Sequence, residues 1–388
     1  MDVNTIGIRR LVTHRLDGTP CATPEDVVRW MGALQAQAYG QALWAIGLRT
    51  HAATLADVER AITERRILLT WPLRGTLHVI PARDARWMLR VSAPRTLRAA
   101  RGRMAQLELD EAIIERCAAL FRDALAGGKR LTRPAMMALL DDAGIVPTGQ
   151  RGYHILWQTA QAGLICLGPL EGRQQTFVLL DEWIPAARDL PRADAVAELA
   201  GRYFTSHGPA TVHDFAWWTG LTLTEARAGL DAVTSRLVMD KRGGTEYWLS
   251  ASTGSSADDA SHVHLLPGFD EYVLGYKDRG DVLAPDHASK IVPGNNGIFM
   301  PALVVDGQVV GTWTRTRTRT GLSLTLHPFA QLTATDDSIA AAAQRYGAFI
   351  GLPVTSVAVD DAPGHPCPPS RWGAHTHAHN NLTSGTKR

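Results

Sequence analysis

At 388 residues the chain is long enough for two to four compact units and a substantial core. Its formal net charge of +2 says nothing by itself about nucleic acid, and Cys21, Cys117, Cys166 and Cys367 have neither metal-ligand nor redox spacing, so a reduced, cytoplasmic protein is expected. No apolar run reaches membrane-spanning length, and Met1-Asp2-Val3-Asn4 lacks a secretory pattern, so no membrane partner is expected.

Residues 24–34 and 55–66 carry helix-capping signals, Thr23-Pro24-Glu25-Asp26 for the first and Thr54 for the second. The first runs into Trp30-Met31-Gly32-Ala33-Leu34-Gln35-Ala36-Gln37, with two amides one residue apart. On a regular helix such residues point about 200° apart, to nearly opposite sides. If the helix gives out between Gly32 and Leu34 and the chain then runs extended, Gln35 and Gln37 face one way and Ala36 the other. The competing reading is a solvated helix face with Trp30, Leu34 and Ala38 in the core.

Residues 67–80, rich in Leu, Thr, Trp and Val and broken by Arg74-Gly75, read as a strand or hairpin. It offers Arg74, Thr76 and His78 as candidates for substrate contact, and His78 equally reads as a satisfied core histidine. Helices at 82–91 and 94–106 hold Arg83, Arg86, Arg90, Arg95, Arg98, Arg101 and Arg103 against one acid, Asp84. Of the 40 basic residues 35 are Arg, a bias that a GC-rich genome produces without functional cause. Residues 1–103, however, hold 16 Arg and eight acids, and genome bias does not explain clustering. Spacings of three and four put several guanidiniums on common faces, which suits phosphate contact as well as solvation.

Helix, short helix, helix, hairpin then occurs twice. The first instance is 110–126, 132–142 and 148–162 with strands 164–167 and 176–180; the second is 192–206, 209–218 and 222–234 with strands 237–239 and 247–249. This is the outline of a winged helix, whose third helix usually lies in a DNA groove, although the module also serves protein–protein contacts. The stretch up to residue 80 fits a looser third copy.

A polar stretch at 250–262 precedes strand signals at 262–267, 271–276, 298–305, 308–313 and 321–327, with Asp306-Gly307 the strongest hairpin turn. Thr314 to Thr320 alternates Thr and Arg, so as a strand it sets Arg315, Arg317 and Arg319 on one side, about 7 Å apart. That suits a nucleic-acid backbone, and equally an edge strand blunted with charge. A helix at 336–350 closes the fold, and 359–388 reads as a disordered tail whose His375, His377 and His379 imply no functional site.

Four separated stretches in order, Trp30 to Gln37, Thr70 to His78, His264 to Tyr276 and Val304 to Trp313, resemble the winged-helix DNA glycosylases of the AlkZ/AlkX type. The Gln-x-Gln pair places the likeness with the AlkZ-like branch. The resemblance implies an α+β fold with three tandem winged-helix units (1–109, 110–190, 191–255) and a C-terminal β-rich region (256–358), C-shaped around a basic concave channel. It implies a monofunctional DNA glycosylase, without lyase activity, cofactor or metal, that hydrolyses the N-glycosidic bond of cationic alkylated purines. N7-alkylguanine, N3-alkyladenine, bulky natural-product adducts and interstrand crosslinks fall in that class, in repair or in self-resistance. The implied partner is double-stranded DNA carrying alkylated purines, and the enzyme a monomer at the nucleoid in the cytoplasm. Gln35 and Gln37 carry over as catalytic, and a minor-groove hairpin maps onto Val304 to Gly311, with Asp306, Gly307 and Gln308 at its tip. Arg74, Thr76, His78, Arg86, Arg90, Arg95, Arg98, Arg315 and Arg317 complete the expected DNA-binding set.

Amides suffice for such chemistry because an N7-alkylguanine is already cationic and leaves as a neutral base. The enzyme needs to hold a water below C1′ and favour positive charge developing on the sugar. Gln does not titrate, but its carbonyl oxygen accepts a hydrogen bond from that water. Asp270 and Glu271 are expected to satisfy backbone donors, with Asp270 the alternative base. A rival function, a non-enzymatic winged-helix transcriptional regulator, needs a sequence-reading helix such as 148–162 or 222–234 and has no use for a paired amide.

Overall fold

The computed structural model describes residues 5–251 and 262–360. After α1 (Thr5–Thr13), one order of elements occurs three times. The first copy is α2 (Pro24–Met31), β1 (Leu34–Gln35), α3 (Tyr39–Gly47), α4 (Leu55–Thr63) and the hairpin of β2 (Ile67–Leu73) and β3 (Thr76–Pro81). Following α5 (Ala85–Gln106), the second is α6 (Glu111–Leu125), β4 (Leu131–Thr132), α7 (Arg133–Asp142), α8 (Arg151–Gln161), β5 (Ile165–Glu171) and β6 (Gln174–Leu179), closed by α9 (Leu180–Trp183). The third is α10 (Arg192–Ser206), a single bridging residue Ala210, α11 (Val212–Thr219), α12 (Leu223–Asp231), β7 (Leu237–Arg242) and β8 (Thr245–Ser250).

The likeness extends to register. In each copy a residue between the first and second helices pairs antiparallel with the second hairpin strand: Gln35 opposite His78, Thr132 opposite Thr176, Ala210 opposite Trp248. In the second and third copies a threonine then caps the next helix at once, Thr132 or Thr211. In the first, Ala36, Gln37 and Ala38 intervene, and α3 starts without a side-chain cap. The second amide of the pair therefore lies in a stretch that the other copies lack.

β2 and β5 meet edge to edge at Leu69 and Leu167, fusing two hairpins into one sheet of order β1-β3-β2-β5-β6-β4. The C-terminal part comprises β9 (Val263–Leu266), α13 (Glu271–Leu274), α14 (Ala288–Ile291), β10 (Ala302–Val305), β11 (Gln308–Arg317), β12 (Leu322–Pro328), α15 (Asp336–Ile350) and β13 (Val354–Val359), with sheet order β13-β12-β11-β10-β9. α3 docks this part onto the first copy. Trp44 packs at 5.0 and 5.1 Å on Tyr346 and Phe349, and its Nε1 donates to the Leu265 carbonyl at 2.8 Å. Gly47 makes the approach possible, since a Cβ there would lie 2.2 Å from the Phe349 ring. The docking brings residues 270 and 271 to β1.

The structure departs from the sequence reading in places that have a physical reason. Residues 85–106 form one helix through Pro94 instead of two. Pro94 has no N–H for the Arg90 carbonyl, and Arg192 donates to the carbonyls of Arg90 and Val91 at 3.4 and 2.9 Å. Residues 271–274, whose Tyr-Val-Leu suggests a strand, turn helically because Asp270 caps them, accepting from the Tyr272 N–H at 2.9 Å. α3 gives no helical signal in the sequence because its residues from Gln41 to Gly47 are all buried, leaving no polar face. Most of the expected linker, 252–261, and the tail 361–388 with Cys367 and its histidines lie outside the described residues. The expected tail start is overrun: Val359 ends β13, and Asp360 Oδ2 lies 2.6 Å from His327 Nδ1. Among the described residues no helix is long and apolar enough to cross a membrane.

Candidate active site

Gly32 ends α2 at φ 78°, donating to the Val28 carbonyl, and the chain enters β1 two residues later. This break takes Gln35 off the helix. Its backbone N–H donates to Glu271 Oε1 at 2.9 Å, and its Oε1 accepts from Arg74 Nη2 at 3.1 Å. A guanidinium only donates, so Arg74 fixes the amide with its oxygen inward and its NH2 turned away. Gln37 follows in a bend, half-buried, with no hydrogen-bond partner among the described residues.

Arg74 and Gly75 form the two-residue turn of the β2–β3 hairpin at φ 52° and 71°, closed by the Leu73–Thr76 pair. A left-handed conformation costs a non-glycine residue about 1 kcal/mol or more. Here the side chain is held at both ends, by Gln35 and by the Trp218 carbonyl at the end of α11. The guanidinium carbon lies 5.9 Å from the ring of Trp217, which is 42% exposed. Thr76 donates to the Leu73 carbonyl at 3.1 Å and so serves the turn.

Glu271 is 1% exposed. Besides Gln35 it takes the Trp218 indole N–H at 3.0 Å, and His207 Nε2 stands 3.8 Å away, too far for a hydrogen bond. Burial pushes this carboxyl up, but His207, His78 and Arg74 outweigh it and hold it below the ordinary glutamate value. The site thus contains an ionised carboxylate, each oxygen of which accepts one buried N–H. Asp270, the alternative base in the sequence reading, is engaged elsewhere: Arg49 grips it bidentately at 2.7 and 2.9 Å, both groups buried.

His78, opposite Gln35 on β3, is fully buried and out of reach of a phosphate. Its Nδ1 donates to the Thr76 carbonyl at 2.8 Å, which leaves Nε2 as a buried acceptor without a partner. Burial, reinforced by Arg74, drives the imidazole down to about 4, so it is neutral at pH 7.

The structure sorts the other candidates. Arg86 pairs with Asp181, and Arg90 with Asp189 at 2.6 Å, whereas Arg95 and Arg98 are exposed and have no ion-pair partner among the described residues. Asp306-Gly307 does turn β10 into β11, but not as a free tip. A Cβ on Gly307 would come within 2.7 Å of the Gly7 and Ile8 backbone, its carbonyl accepts from Tyr272 at 2.8 Å, and Gln308 Nε2 donates to the Asp281 carbonyl at 3.0 Å. Gly307 and Gln308 are thus engaged with the protein, whereas Asp306 is exposed at the turn and accepts from the His262 N–H at 2.9 Å. The exposed tip of this sheet lies between β11 and β12, at Arg317 to Thr320. Arg315 shares the face of Trp313 and lies 5.0 Å over Tyr346, and burial lowers its pKa to about 10.

Neither proposed reading helix presents a basic face. α8 has no exposed residue, and α12 exposes one Arg, Arg227. Glu271 satisfies a backbone donor, as the sequence reading expects, but that donor is Gln35, which the sequence does not indicate; Trp217 and Trp218 leave no signal in it at all.

Comparison with known proteins agrees with this geometry. The model of the family described as DNA glycosylase AlkZ-like matches residues 28–349. An interstrand DNA cross-link repair glycosylase of Streptomyces sahachiroi is 29% identical over 314 residues, covering 74% of this chain and 81% of that protein. The solved structure of Streptomyces sahachiroi DNA glycosylase AlkZ shares the fold, with a TM-score of 0.76 at 22% identity over 92% of this chain and 99% of that one. The family match runs from α2 to α15 and takes in the amide pair, the Arg74 turn and Glu271: this chain is a DNA glycosylase of the AlkZ-like family.

Proposed function

We propose that this DNA glycosylase is monofunctional and hydrolyses the N-glycosidic bond of cationic alkylated purines, N7-alkylguanine and N3-alkyladenine, with bulky adducts and interstrand crosslinks among its substrates. The single observation that carries the reading is the state of the site's charges. Gln35 is a neutral amide fixed by Arg74, and the carboxylate beside it already accepts from Gln35 and Trp218. A carboxylate held below the ordinary glutamate value and anchored by two buried donors is a weak general base, which suits a leaving group that brings its own positive charge. Gln37, without a hydrogen-bond partner among the described residues, is the amide that holds the water, and Gln35 keeps its second lone pair and its NH2 for water or sugar. Glu271, ionised in a low-dielectric setting, balances Arg74 and favours positive charge on the sugar.

The name of the Streptomyces relative supports crosslinks as substrates. The repeated pairing of Gln35, Thr132 and Ala210 supports a reading of three winged-helix units, ending near 109, 190 and 255, around a basic concave channel that takes double-stranded DNA as a monomer. The burial of α8 speaks against a sequence-reading regulator.

A duplex carrying one N7-methylguanine, or a bulkier N7 adduct, tests the reading. Base release leaving an intact abasic strand is expected, abolished by Gln35→Ala or Gln37→Ala. Tight binding to a defined undamaged sequence without release from either lesion would overturn it.

A further inference from the structure

A second cluster of chemically capable side chains lies apart from the residues used above. Asp17, in the turn after α1, has Oδ1 3.2 Å from His262 Nδ1 and 2.9 Å from His264 Nε2. One ligand atom from each of the three lies within 4.8 Å of the others. His262 and His264 are two apart along an extended chain, so both side chains leave it on the same face. The backbone presets them: His264 pairs with Val304 in the sheet, and His262 exchanges two hydrogen bonds with Asp306, at 2.9 and 3.1 Å. Two polar atoms of the cluster, Asp17 Oδ2 and His262 Nε2, are buried without a partner among the described residues. Histidine–aspartate hydrogen bonds account for Oδ1 and leave the second oxygen of a carboxylate that is 4% exposed unsatisfied.

We propose that Asp17, His262 and His264 bind one divalent transition-metal ion of the zinc class, with water completing the coordination. Two imidazole nitrogens and one carboxylate oxygen suit zinc, cobalt or nickel, and not calcium or magnesium, which take all-oxygen sets. Ligand bonds of about 2.0–2.2 Å set the corners of a tetrahedron roughly 3.4 Å apart. The spacings of 2.9 and 3.2 Å lie a few tenths of an ångström inside that. The ion would tie the turn after α1 to β9. Through Asp306 it would also hold the β10–β11 turn that packs on α1, so its effect is on the docking of α1 and not on base release.

His375, His377 and His379 would bind such ions on their own, so the test uses the full chain with all three replaced by Ala. Titration with cobalt(II) is expected to show one equivalent bound, with the visible absorption bands of a four-coordinate N/O site, and zinc is expected to raise Tm. Asp17→Asn should abolish the bands. His262 has the most exposed side chain of the three, at 28%, so His262→Gln is the variant best tolerated by the fold, and it should weaken binding at least about tenfold. If Asp17→Asn fails to fold, His262→Gln carries the test alone. Absence of stoichiometric binding, or binding unchanged in His262→Gln, overturns the proposal.

Discussion

The backbone N–H of Gln35 and the carboxylate of Glu271 meet at 2.9 Å across 236 positions of sequence, and the same carboxylate holds Trp218 of α11. One side chain thus joins β1, the third copy and the C-terminal motif. Glu271→Gln offers a single acceptor oxygen to two buried donors and removes the charge facing Arg74. It is expected to lower stability by about 1–3 kcal/mol for the donor left unpaired and to slow base release under single-turnover conditions. A melt and a rate both equal to the parent's would refute the role.

Arg74 spans from Gln35 to the Trp218 carbonyl, and the reach is specific to a fork of donors. Arg74→Lys keeps the charge but cannot hold both acceptors. Loss of the Gln35 orientation is expected to cost up to about 100-fold in the chemical step, with DNA affinity changed little. Measuring binding and single-turnover release separately decides it: a loss confined to affinity would show that Arg74 acts on the phosphate instead.

Much of this was legible in local pattern, and the rest was not, for reasons that particular residues show. Gly32 and Asp306-Gly307 mark a helix end and a hairpin because their backbone conformations need those residue types. Thr54, Thr132 and Thr222 announce their helices by capping them. Long-range neighbours leave no such mark: nothing near Glu271 says that it faces Gln35, and nothing near Arg192 says that it makes a proline tolerable inside α5. The contact of Gly307 with the Gly7 and Ile8 backbone is hidden for the same reason, since a good turn sequence is silent about what packs on it.

Stability is expected to fall on acidification. His78 titrates near 4 in the fold against an ordinary value of 6.5, so below pH 6.5 the unfolded chain binds the extra proton first. The stability this neutral histidine contributes is full above 6.5 and is lost progressively down to about 4, a total of roughly 3 kcal/mol. His14 and His207, also depressed by burial, act in the same direction. Denaturant melts between pH 4.5 and 7.5 should show the slope, and His78→Gln should flatten it. A stability independent of pH across that window would mean that His78 is not buried as the structure has it.

Arg95 and Arg98 differ from Arg86 and Arg90 on the same helix in having no acid beside them. A phosphate contact releases counterions only where the charge is uncompensated, so the two classes should separate in a salt titration of duplex binding. Replacing Arg95 and Arg98 together by Ala is expected to weaken binding uniformly across sequences and to reduce the slope of log affinity against log salt by about 2. Replacing Arg86 and Arg90 should change the slope less, because Asp181 and Asp189 already neutralise them. Equal slopes for the two double variants would place the DNA elsewhere, with the exposed β11–β12 tip at Arg317 and Arg319 the next surface to titrate in the same way.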